Sequence, residues 1–328
     1  MEATAKSLTI LILEPDDYAP DALAAYRALG RVLLWPEMNA GQRNRALAGA
    51  DILVVRLVYR ITNPWLSRMP NLKIIATPTT GLTHIDTDAA KKRGIKIISL
   101  GGSAVLGRIP STAEETMGLL LGLVRKIPWA FEDVKRGRWN RDEWKGRQLY
   151  GKTVGILGFG RLGRMVARYG RAFGMRVIAA DPYVSKSAMA RRGVAKVSME
   201  ALFKNVDIVS IHVSLGDDTR DLVRKKHIRM MKPTAYLINT ARAEIIERHA
   251  LIEALREEWI AGAAIDVMRD EDGMGRHLKR DPLWGYAKTH HNLLIVPHLG
   301  GATTEAMRET EAWIAARVVR EARHLIQQ

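Results

Sequence analysis

The sequence contains no cysteine among its 328 residues. Disulfide bonds, zinc–thiolate sites and catalysis by a thiol nucleophile are therefore excluded. We predict no metal site. A chain without cysteine fits a cytoplasmic protein, and that is the compartment we expect, although the absence of cysteine does not by itself fix one.

The sequence also lacks a long apolar run. The N-terminal run at residues 8–13 is too short and too poorly flanked for a secretory signal, so it is predicted to be a buried strand. The most apolar later stretch, residues 117–124, lies between charged residues and cannot span a bilayer. We therefore expect no membrane partner.

Aromatic residues are few, at 6% of the chain, whereas positive charge is in excess: 51 Lys and Arg against 35 Asp and Glu, a formal net charge of +16. The basic residues occur in scattered pairs and triplets without interleaved aromatic residues, which is typical of a solvated surface. We therefore expect no nucleic-acid partner. The positive field remains suited to steering anionic small molecules.

The order of short apolar runs and helix-period stretches predicts an α/β protein with parallel sheets, and the length predicts two domains. The predicted strands are residues 8–13, 31–34, 52–55, 72–76 and 95–99, then 152–157, 176–180, 207–211, 236–238, 262–265 and 293–296. The predicted helices include residues 21–29, 86–93, a long helix that begins at a capping box over 111–114, and a C-terminal helix at 303–325 that packs on the first domain.

A Gly-x-Gly-x-x-Gly motif follows the first strand of the second half, at Gly158, Gly160 and Gly163. The first glycine permits a tight turn, the second lets backbone approach a pyrophosphate, and the third lets helix and strand pack closely. The helix that starts here offers free N–H groups and a positive dipole end to phosphates. The pattern predicts a dinucleotide site that includes Phe159, Arg161 and Leu162.

The next predicted strand ends in Asp181, close to the separation at which an acidic residue meets the adenosine ribose hydroxyls. A carboxylate at this place repels a 2′-phosphate, so NAD is favoured over NADP. The alternative is that Asp181 only ends a strand with a turn. Because strand, glycines, helix and acid agree, we interpret the segment as an NAD site.

Three polar residues, Arg242, Glu271 and His298, lie just beyond apolar strands. Ligands bind outside the carboxyl ends of parallel strands, so these side chains can converge. Reduction of a 2-keto acid needs a cation for the carboxylate and carbonyl and a proton donor that titrates near neutrality. Arg242 and His298 supply these, and Glu271 would orient the imidazole and stabilise its protonated form. Each residue taken alone also fits a surface or core role.

With these residues the chain resembles the D-isomer-specific 2-hydroxyacid dehydrogenases. The likeness covers nearly the whole chain. In the second half it is carried by residues 151–160, 238–242, 266–267 and 297–302, and in the first half by residues 55–56, 79–86 and 112–116. The resemblance implies hydride transfer between NAD and a small 2-keto or D-2-hydroxy acid. It also implies that Arg242, Glu271 and His298 are the catalytic residues.

The same resemblance implies further site residues. The backbone N–H groups around Gly81 and Leu82 would bind the substrate carboxylate, and Arg56 would reach it. Asp266 falls where the family contacts the nicotinamide carboxamide, with Thr240 and Ala241 nearby, and His212 is assigned to the cofactor site.

The resemblance also implies two doubly wound domains. A Rossmann NAD-binding domain at residues 104–298 would be inserted into a flavodoxin-like substrate domain formed by residues 1–103 and 299–328. The long helix that starts at Ser111 and the Trp-rich segment after it resemble the family's dimer-forming region, so a homodimer is expected.

Several positions depart from the family pattern. Ala243 replaces a glycine, Ser214 replaces a frequent proline, and Asp272 replaces a proline before a basic insertion at residues 273–280. These changes leave the three polar residues intact and affect loop shape. His84 is interpreted as a residue that shapes the Gly81 loop through a hydrogen bond.

Two other functions remain compatible with the sequence. One is a non-catalytic, NAD-binding regulator, because fold does not dictate function. The other is a related dehydrogenase that acts on formate or phosphite. A non-catalytic regulator would not need the three polar residues. Oxidation of formate would not need a histidine and glutamate pair either, because no proton has to leave a hydroxyl group.

Overall fold

The structure is a computed structural model that describes residues 7–271 and 275–326. Asp272 and the start of the basic insertion, residues 273 and 274, lie outside the described residues. The described chain forms two compact units, residues 7–109 with 303–326 and residues 110–271 with 276–302. The domain limits at 103/104 and 298/299 stay a prediction.

The first unit contains a five-stranded parallel sheet with the order β2-β1-β3-β4-β5, the doubly wound order of flavodoxin-like folds. The strands are β1 (Leu8–Ile12), β2 (Gly30–Leu34), β3 (Ile52–Val54), β4 (Ile74–Ala76) and β5 (Lys96–Ile98). The helices are α1 (Pro20–Leu29), α2 (Ala40–Gly49), α3 (Asn63–Ser67), α4 (Thr87–Lys92) and the C-terminal α13 (Thr304–Ile326), with short 3-10 helices at Trp35–Glu37 and Ala104–Arg108.

Strand β1 shows why this sheet is covered on both faces. Ile10 and Ile12 pack into one apolar cluster, which includes residues of α1 and α13, while Leu11 lies in a second cluster with Leu47 of α2. Alternate side chains of a strand point to opposite faces, so an uninterrupted apolar run can bury both. As expected from the sequence, the C-terminal helix belongs to the first unit and packs against α1.

The second unit contains a seven-stranded parallel sheet with the order β12-β11-β10-β9-β6-β7-β8. Counted along this unit, the order is the Rossmann arrangement extended by a seventh strand. The strands are β6 (Thr153–Leu157), β7 (Arg176–Ala180), β8 (Ala195–Lys196), β9 (Ile208–Ile211), β10 (Tyr236–Asn239), β11 (Gly262–Ile265) and β12 (Leu293–Ile295).

Helices on both faces complete this unit. They are α5 (Ser111–Val124), α6 (Ile127–Lys135), α7 (Arg161–Ala172), α8 (Lys186–Ala190), α9 (Met199–Asn205), α10 (Lys225–Arg229), α11 (Ala250–Arg256) and α12 (Pro282–Ala287), with 3-10 helices at Asp217–Thr219, Ala243–Ile245 and Leu278–Arg280. Two separate apolar clusters cover the two faces of the sheet. The α/β class with two parallel sheets is therefore confirmed.

Every predicted strand is present with bounds within two residues, but two local features differ from the sequence interpretation. The capping box predicted at Ser111 is wrong: Pro110 is the N-cap of α5, and the buried Ser111 hydroxyl has no hydrogen-bond partner within the described chain. Ser111 is already the first helical residue, where its side chain cannot cap. The two-residue strand β8 was not predicted because it is too short to show the alternation of apolar and polar residues that indicates a strand.

Among the helices of residues 7–271 and 275–326, none has both the length and the apolar character needed to cross a membrane.

Candidate active site

The turn between β6 and α7 is held by two glycines. Gly158 has a positive φ of 91°, and a Cβ there would lie 2.7 Å from the carbonyl oxygen of His212. A Cβ on Gly163 would lie 2.1 Å from the carbonyl oxygen of Gly158. Both positions exclude a side chain because backbone cannot move out of the way, so these glycines are needed for the turn itself.

Gly160 is different. Its φ of −76° suits any residue, and in the described chain no atom lies within 4 Å of the place that its Cβ would occupy. It is also the N-cap of α7, where no described side chain caps the helix. Open space in front of a helix N-terminus is what a phosphate needs, because the first-turn N–H groups and the helix dipole attract anions. This geometry fits the pyrophosphate of a dinucleotide.

Asp181 follows β7 and supports the glycine turn directly. Its Oδ2 accepts a hydrogen bond from the Phe159 N–H at 2.8 Å, and its Oδ1 accepts from Tyr183 N at 2.8 Å and Val184 N at 3.2 Å. A carboxylate has about four acceptor positions, so capacity for one more donor remains. Asp181 therefore shapes the loop and can still accept from a hydroxyl group.

His212 lies after β9 and packs its backbone against the glycine turn. Its Nε2 is 2.8 Å from the Ser210 hydroxyl, and its buried Nδ1 has no hydrogen-bond partner among residues 7–271 and 275–326. Burial lowers the pKa of His212 to about 4, so the ring is neutral at pH 7. A buried polar atom without a partner at this place is a second feature that fits a bound ligand.

The remaining predicted cofactor residues surround the same edge of the sheet. Phe159 is fully buried, whereas Arg161 and Leu162 are half-buried at the start of α7. The Thr240 hydroxyl, after β10, is 2.8 Å from the Thr116 hydroxyl of α5, and Ala241 follows it. Parallel pairing thus brings the ends of β6, β7, β9 and β10 to one edge.

His298 and Glu271 are hydrogen-bonded to each other. His298 Nδ1 lies 2.7 Å from Glu271 Oε2, and both side chains are about a quarter to a third exposed. Because an ionised carboxylate only accepts, the Nδ1 proton is donated to Glu271, and Nε2 is the ring atom left for other partners. The second oxygen of Glu271 accepts from the Met268 N–H, which fixes the carboxylate.

The backbone at His298 is strained. Its φ of +56° lies in the left-handed region, which costs a residue with a side chain on the order of 1 kcal/mol. Asp266 holds the following residues in place, because its carboxylate accepts hydrogen bonds from the N–H groups of Leu299 and Gly300, the latter at 2.9 Å. Such strain, kept by surrounding contacts, is common at functional sites.

Asp266 itself is nearly fully buried at the end of β11. Burial raises its pKa to about 6, although the Gly300 N–H and the charge of His298 act in the opposite direction. The sequence interpretation assigned Asp266 to the nicotinamide end of the cofactor. In the structure, both of its oxygens already bind the loop that begins at His298.

Arg242 follows β10. In the sheet, β11 lies between β10 and β12. Its Nη1 donates to the Ala241 carbonyl oxygen at 2.6 Å. Asn239 supports this segment from the last position of β10: its Nδ2 donates to the Arg242 carbonyl at 2.9 Å and its Oδ1 accepts from Ala241 N at 3.0 Å. The sequence analysis included Asn239 in the family motif but assigned it no role, although a polar residue at the end of an apolar strand was a usable signal.

The predicted substrate-binding residues Arg56, Gly81 and Leu82 all belong to the first unit. The Gly81 loop is shaped by a short network, in which Thr79 Oγ1 donates to the Gly81 carbonyl at 2.8 Å and lies 2.9 Å from Thr77 Oγ1. Thr77 Oγ1 is in turn 3.3 Å from His84 Nε2. His84 therefore takes the loop-shaping position expected from the sequence.

Arg56 is bound by residues that the sequence interpretation did not single out. Its guanidinium pairs with Glu311 of α13, and its backbone N–H donates to Glu14, which follows β1. Both glutamates are buried, and burial raises the pKa of each. Glu311 lies on the helix stripe that also contains the buried Ala315 and Val318, so its position was a readable signal.

The lowered pKa of His212 predicts a loss of stability in acid. An unfolded histidine takes up a proton as the pH falls below about 6.5, but the folded ring resists protonation down to about pH 4. We expect His212→Gln, which can keep the Ser210 contact, to remove about 2 kcal/mol of the stability loss between pH 7 and pH 5. Urea unfolding at both pH values measures it.

As a control, the exposed His290→Gln should keep the wild-type difference between the two pH values. An equal acid sensitivity of wild type and His212→Gln would show that His212 is not the group responsible.

Comparison with known proteins agrees with this geometry. Residues 117–300 match the family model of the D-isomer specific 2-hydroxyacid dehydrogenase, NAD binding domain. The chain is 34% identical over 310 residues to a D-3-phosphoglycerate dehydrogenase of Methanocaldococcus jannaschii, which covers 94% of this chain and 57% of that protein. It is 35% identical over 271 residues to a hydroxypyruvate reductase of Thermotoga maritima, covering 83% and 84% of the two chains.

The chain thus spans little more than half the length of the phosphoglycerate dehydrogenases that it matches. A solved structure of D-lactate dehydrogenase from Aquifex aeolicus, complexed with NAD and lactic acid, has a TM-score of 0.78 at 27% identity and covers 97% of this chain and 95% of that chain. Fold, glycine turn and sequence identity lead to one conclusion: the chain belongs to the D-isomer specific 2-hydroxyacid dehydrogenase family.

Proposed function

We propose that this protein is an NAD-dependent oxidoreductase that interconverts a small 2-keto acid and its D-2-hydroxy acid. The observation that carries the proposal is the hydrogen bond between His298 and Glu271, at the same edge of the sheet as the glycine turn. An oriented histidine suits proton transfer to and from an oxygen, which a protein that only binds nucleotide does not need.

The chain's own residues would hold the cofactor along this edge. The phosphates would face Gly160 and the start of α7, and Asp181 would accept from the adenosine ribose. The other proposed contacts are Gly158, Phe159, Arg161, Leu162, Gly163, His212, Thr240, Ala241 and Asp266. When bound, NADH supplies the hydride that reduces C2 of the keto acid.

His298 would move the proton. Its Nδ1 is occupied by Glu271, so Nε2 is the atom that donates a proton to the substrate oxygen in reduction and accepts it in oxidation. Glu271 holds the ring in this orientation and stabilises the positive charge on the imidazolium. The N–H of Met268 and the bonds from Asp266 to Leu299 and Gly300 keep the two partners in place.

Arg242 would bind the substrate carboxylate and polarise the carbonyl oxygen next to it. Its guanidinium has five donors in a planar fork, which matches a carboxylate better than an ammonium group does. For the first unit, we propose, as the family resemblance implies, that Arg56 and the backbone N–H groups of Gly81 and Leu82 bind the substrate carboxylate. The relatives named as hydroxypyruvate and glyoxylate reductases support a short keto acid as substrate.

We also propose a homodimer formed through α6. Ile127, Phe131 and Val134 are spaced by four and three residues, so they share one helix face, and their exposed fractions are 54%, 60% and 47%. Trp139, just after this helix, is 88% exposed. A contiguous apolar face of this kind is characteristic of a protein interface, and a second copy of this chain is the proposed partner.

The proposed mechanism is tested by replacing His298 and Arg242 separately. We expect His298→Ala and Arg242→Ala each to lower kcat/KM at least about a hundredfold, because proton transfer and electrostatic stabilisation each contribute about that much. The assay follows NADH absorbance with glyoxylate, hydroxypyruvate and pyruvate. His290→Ala and Arg248→Ala serve as matched surface controls and should keep wild-type rates.

Wild-type rates in either site variant would remove the mechanism. Tight NADH binding without turnover on any keto acid would favour the non-catalytic regulator, and turnover on formate or phosphite alone would favour the second alternative.

Coenzyme binding tests the phosphate-binding turn. We expect the Kd for NADPH to exceed that for NADH at least about tenfold, because the Asp181 carboxylate repels a 2′-phosphate. Gly160→Ala should raise the Kd for NADH at least about tenfold, since its methyl group would fill the space in front of α7. It should lower Tm by no more than about a few degrees, because the methyl meets no protein atom and only the N-cap preference for glycine over alanine is lost. Fluorescence titration and thermal unfolding provide the measurements.

Gly49→Ala is the matched control, because its Cβ also meets no described atom within 4 Å. Stronger binding of NADPH than NADH would contradict the ribose assignment, and unchanged NADH binding by Gly160→Ala would contradict the pyrophosphate assignment.

The proposed dimer predicts a mass of twice 36.6 kDa by sedimentation velocity. Phe131→Asp should shift the species toward monomer at micromolar concentration, since it places a charge in the apolar face. Glu132→Gln, one position along the same helix, should leave the mass unchanged. A wild-type monomer at high concentration would refute the interface.

A further inference from the structure

Arg56 is held from several directions at the end of β3. Its Nη1 donates to the Asp16 carbonyl oxygen at 2.9 Å, its Nη2 pairs with Glu311 Oε1, and its guanidinium carbon lies 4.9 Å from the centre of the Tyr18 ring. The side chain is 16% exposed. The guanidinium is therefore fixed in one orientation with a part of it still accessible.

Glu311 connects this group to the C-terminal helix. Its side chain is 1% exposed, and besides the ion pair its Oε2 accepts from the Ala19 N–H at 2.7 Å. Arg56 and Glu311 are 255 positions apart in the sequence. Glu311 therefore connects the segment after β3, the start of α1 and the N-terminal half of α13 at one point of the first unit.

A contribution to folding stability does not by itself explain the buried ion pair between Arg56 and Glu311. Removing two charges from water costs about as much as their attraction returns, so a buried ion pair is on balance no better than a well-packed apolar pair. Its clearer effect is on geometry. An arginine side chain loses conformational freedom when a ligand immobilises it, and an arginine fixed beforehand avoids that cost.

The guanidinium also retains binding capacity. Arginine has five N–H donors, and the contacts above use one on Nη1 and one on Nη2. The buried Nε finds no acceptor anywhere in the described chain. A buried donor without an acceptor is costly, so an anionic group that reached this guanidinium would be favoured.

We propose that Glu311 is a positioning residue for substrate recognition: it holds the Arg56 guanidinium in the orientation that binds the substrate carboxylate. The inference rests on the proposed function of Arg56. It makes the C-terminal helix α13 a determinant of substrate affinity through its contact with Arg56.

Two other roles of Glu311 predict different results, and the test distinguishes them from positioning. If Glu311 instead competed with the substrate for Arg56, removal of its charge would strengthen substrate binding and lower KM. If it were only structural, its loss would lower Tm without a specific change in KM.

The experiment compares Glu311→Ala and Glu311→Gln with Glu309→Ala, a matched control on the same helix whose side chain is 39% exposed and pairs with the exposed Arg108. We expect Glu311→Ala to raise KM for the best keto acid at least about fivefold, with kcat and the KM for NADH within about twofold of wild type. Glu311→Gln keeps one of the two acceptors and should raise KM about twofold. Glu309→Ala should match wild type.

A double-mutant cycle separates positioning from structure. In an Arg56→Ala background, Glu311→Gln should cause no further rise in KM, because the only route of its effect has been removed. An equal rise in both backgrounds would overturn the inference. If Glu311→Ala does not fold, Glu311→Gln decides, and an unchanged or lower KM would refute the proposal.

Different outcomes would contradict the role of Glu311 and the role of Arg56. If keto acids are reduced with a KM that depends on Arg56 but not on Glu311, the inference is wrong and the proposed function stands. If no keto acid is reduced, or Arg56→Ala leaves KM unchanged, the proposed role of Arg56 itself fails and the inference falls with it.

Discussion

The parallel pairing of β10, β11 and β12 is the constraint on which the candidate site depends. Parallel strands end at the same edge, so residues that follow them meet there even when they are far apart in the chain. Arg242, Asp266 and His298 follow these three strands. The sheet therefore collects a cation, a buried carboxylate and an imidazole at the same edge as the glycine turn that follows β6.

The strand order brings these residues to one edge but does not fix the orientation of their side chains and loops. Carboxylates provide that orientation. Glu271 fixes the His298 ring, Asp266 fixes the backbone after it, and Asp181 fixes the glycine turn through the Phe159 N–H. Glu271 accepts from a backbone N–H group as well as from His298, whereas Asp266 and Asp181 accept from backbone N–H groups. Charge-assisted hydrogen bonds of this kind are strong enough to hold a strained backbone such as that of His298.

The first unit uses the same principle around Arg56. Two buried glutamates, Glu14 and Glu311, bind one arginine by its backbone and its side chain, and neither lies near it in sequence. Across the described chain the excess of positive charge is thus a property of the surface. Buried acids are placed where they orient a basic group or a loop, which agrees with the rarity of unpaired charges in protein interiors.

The sequence by itself determined the α/β class, the strand positions, the glycine turn and the polar residues after the strands. These follow from periodicity and residue size within short windows, which act locally. Only the tertiary structure decided that Pro110 rather than Ser111 caps α5, that His298 adopts a left-handed backbone, that Asp181 is bound by three N–H groups, and that Arg56 meets Glu311. The contacts Arg56–Glu311 and Phe159–Asp181 join residues that are 255 and 22 positions apart, so no local pattern contains them, and the local features depend on how the elements around them pack.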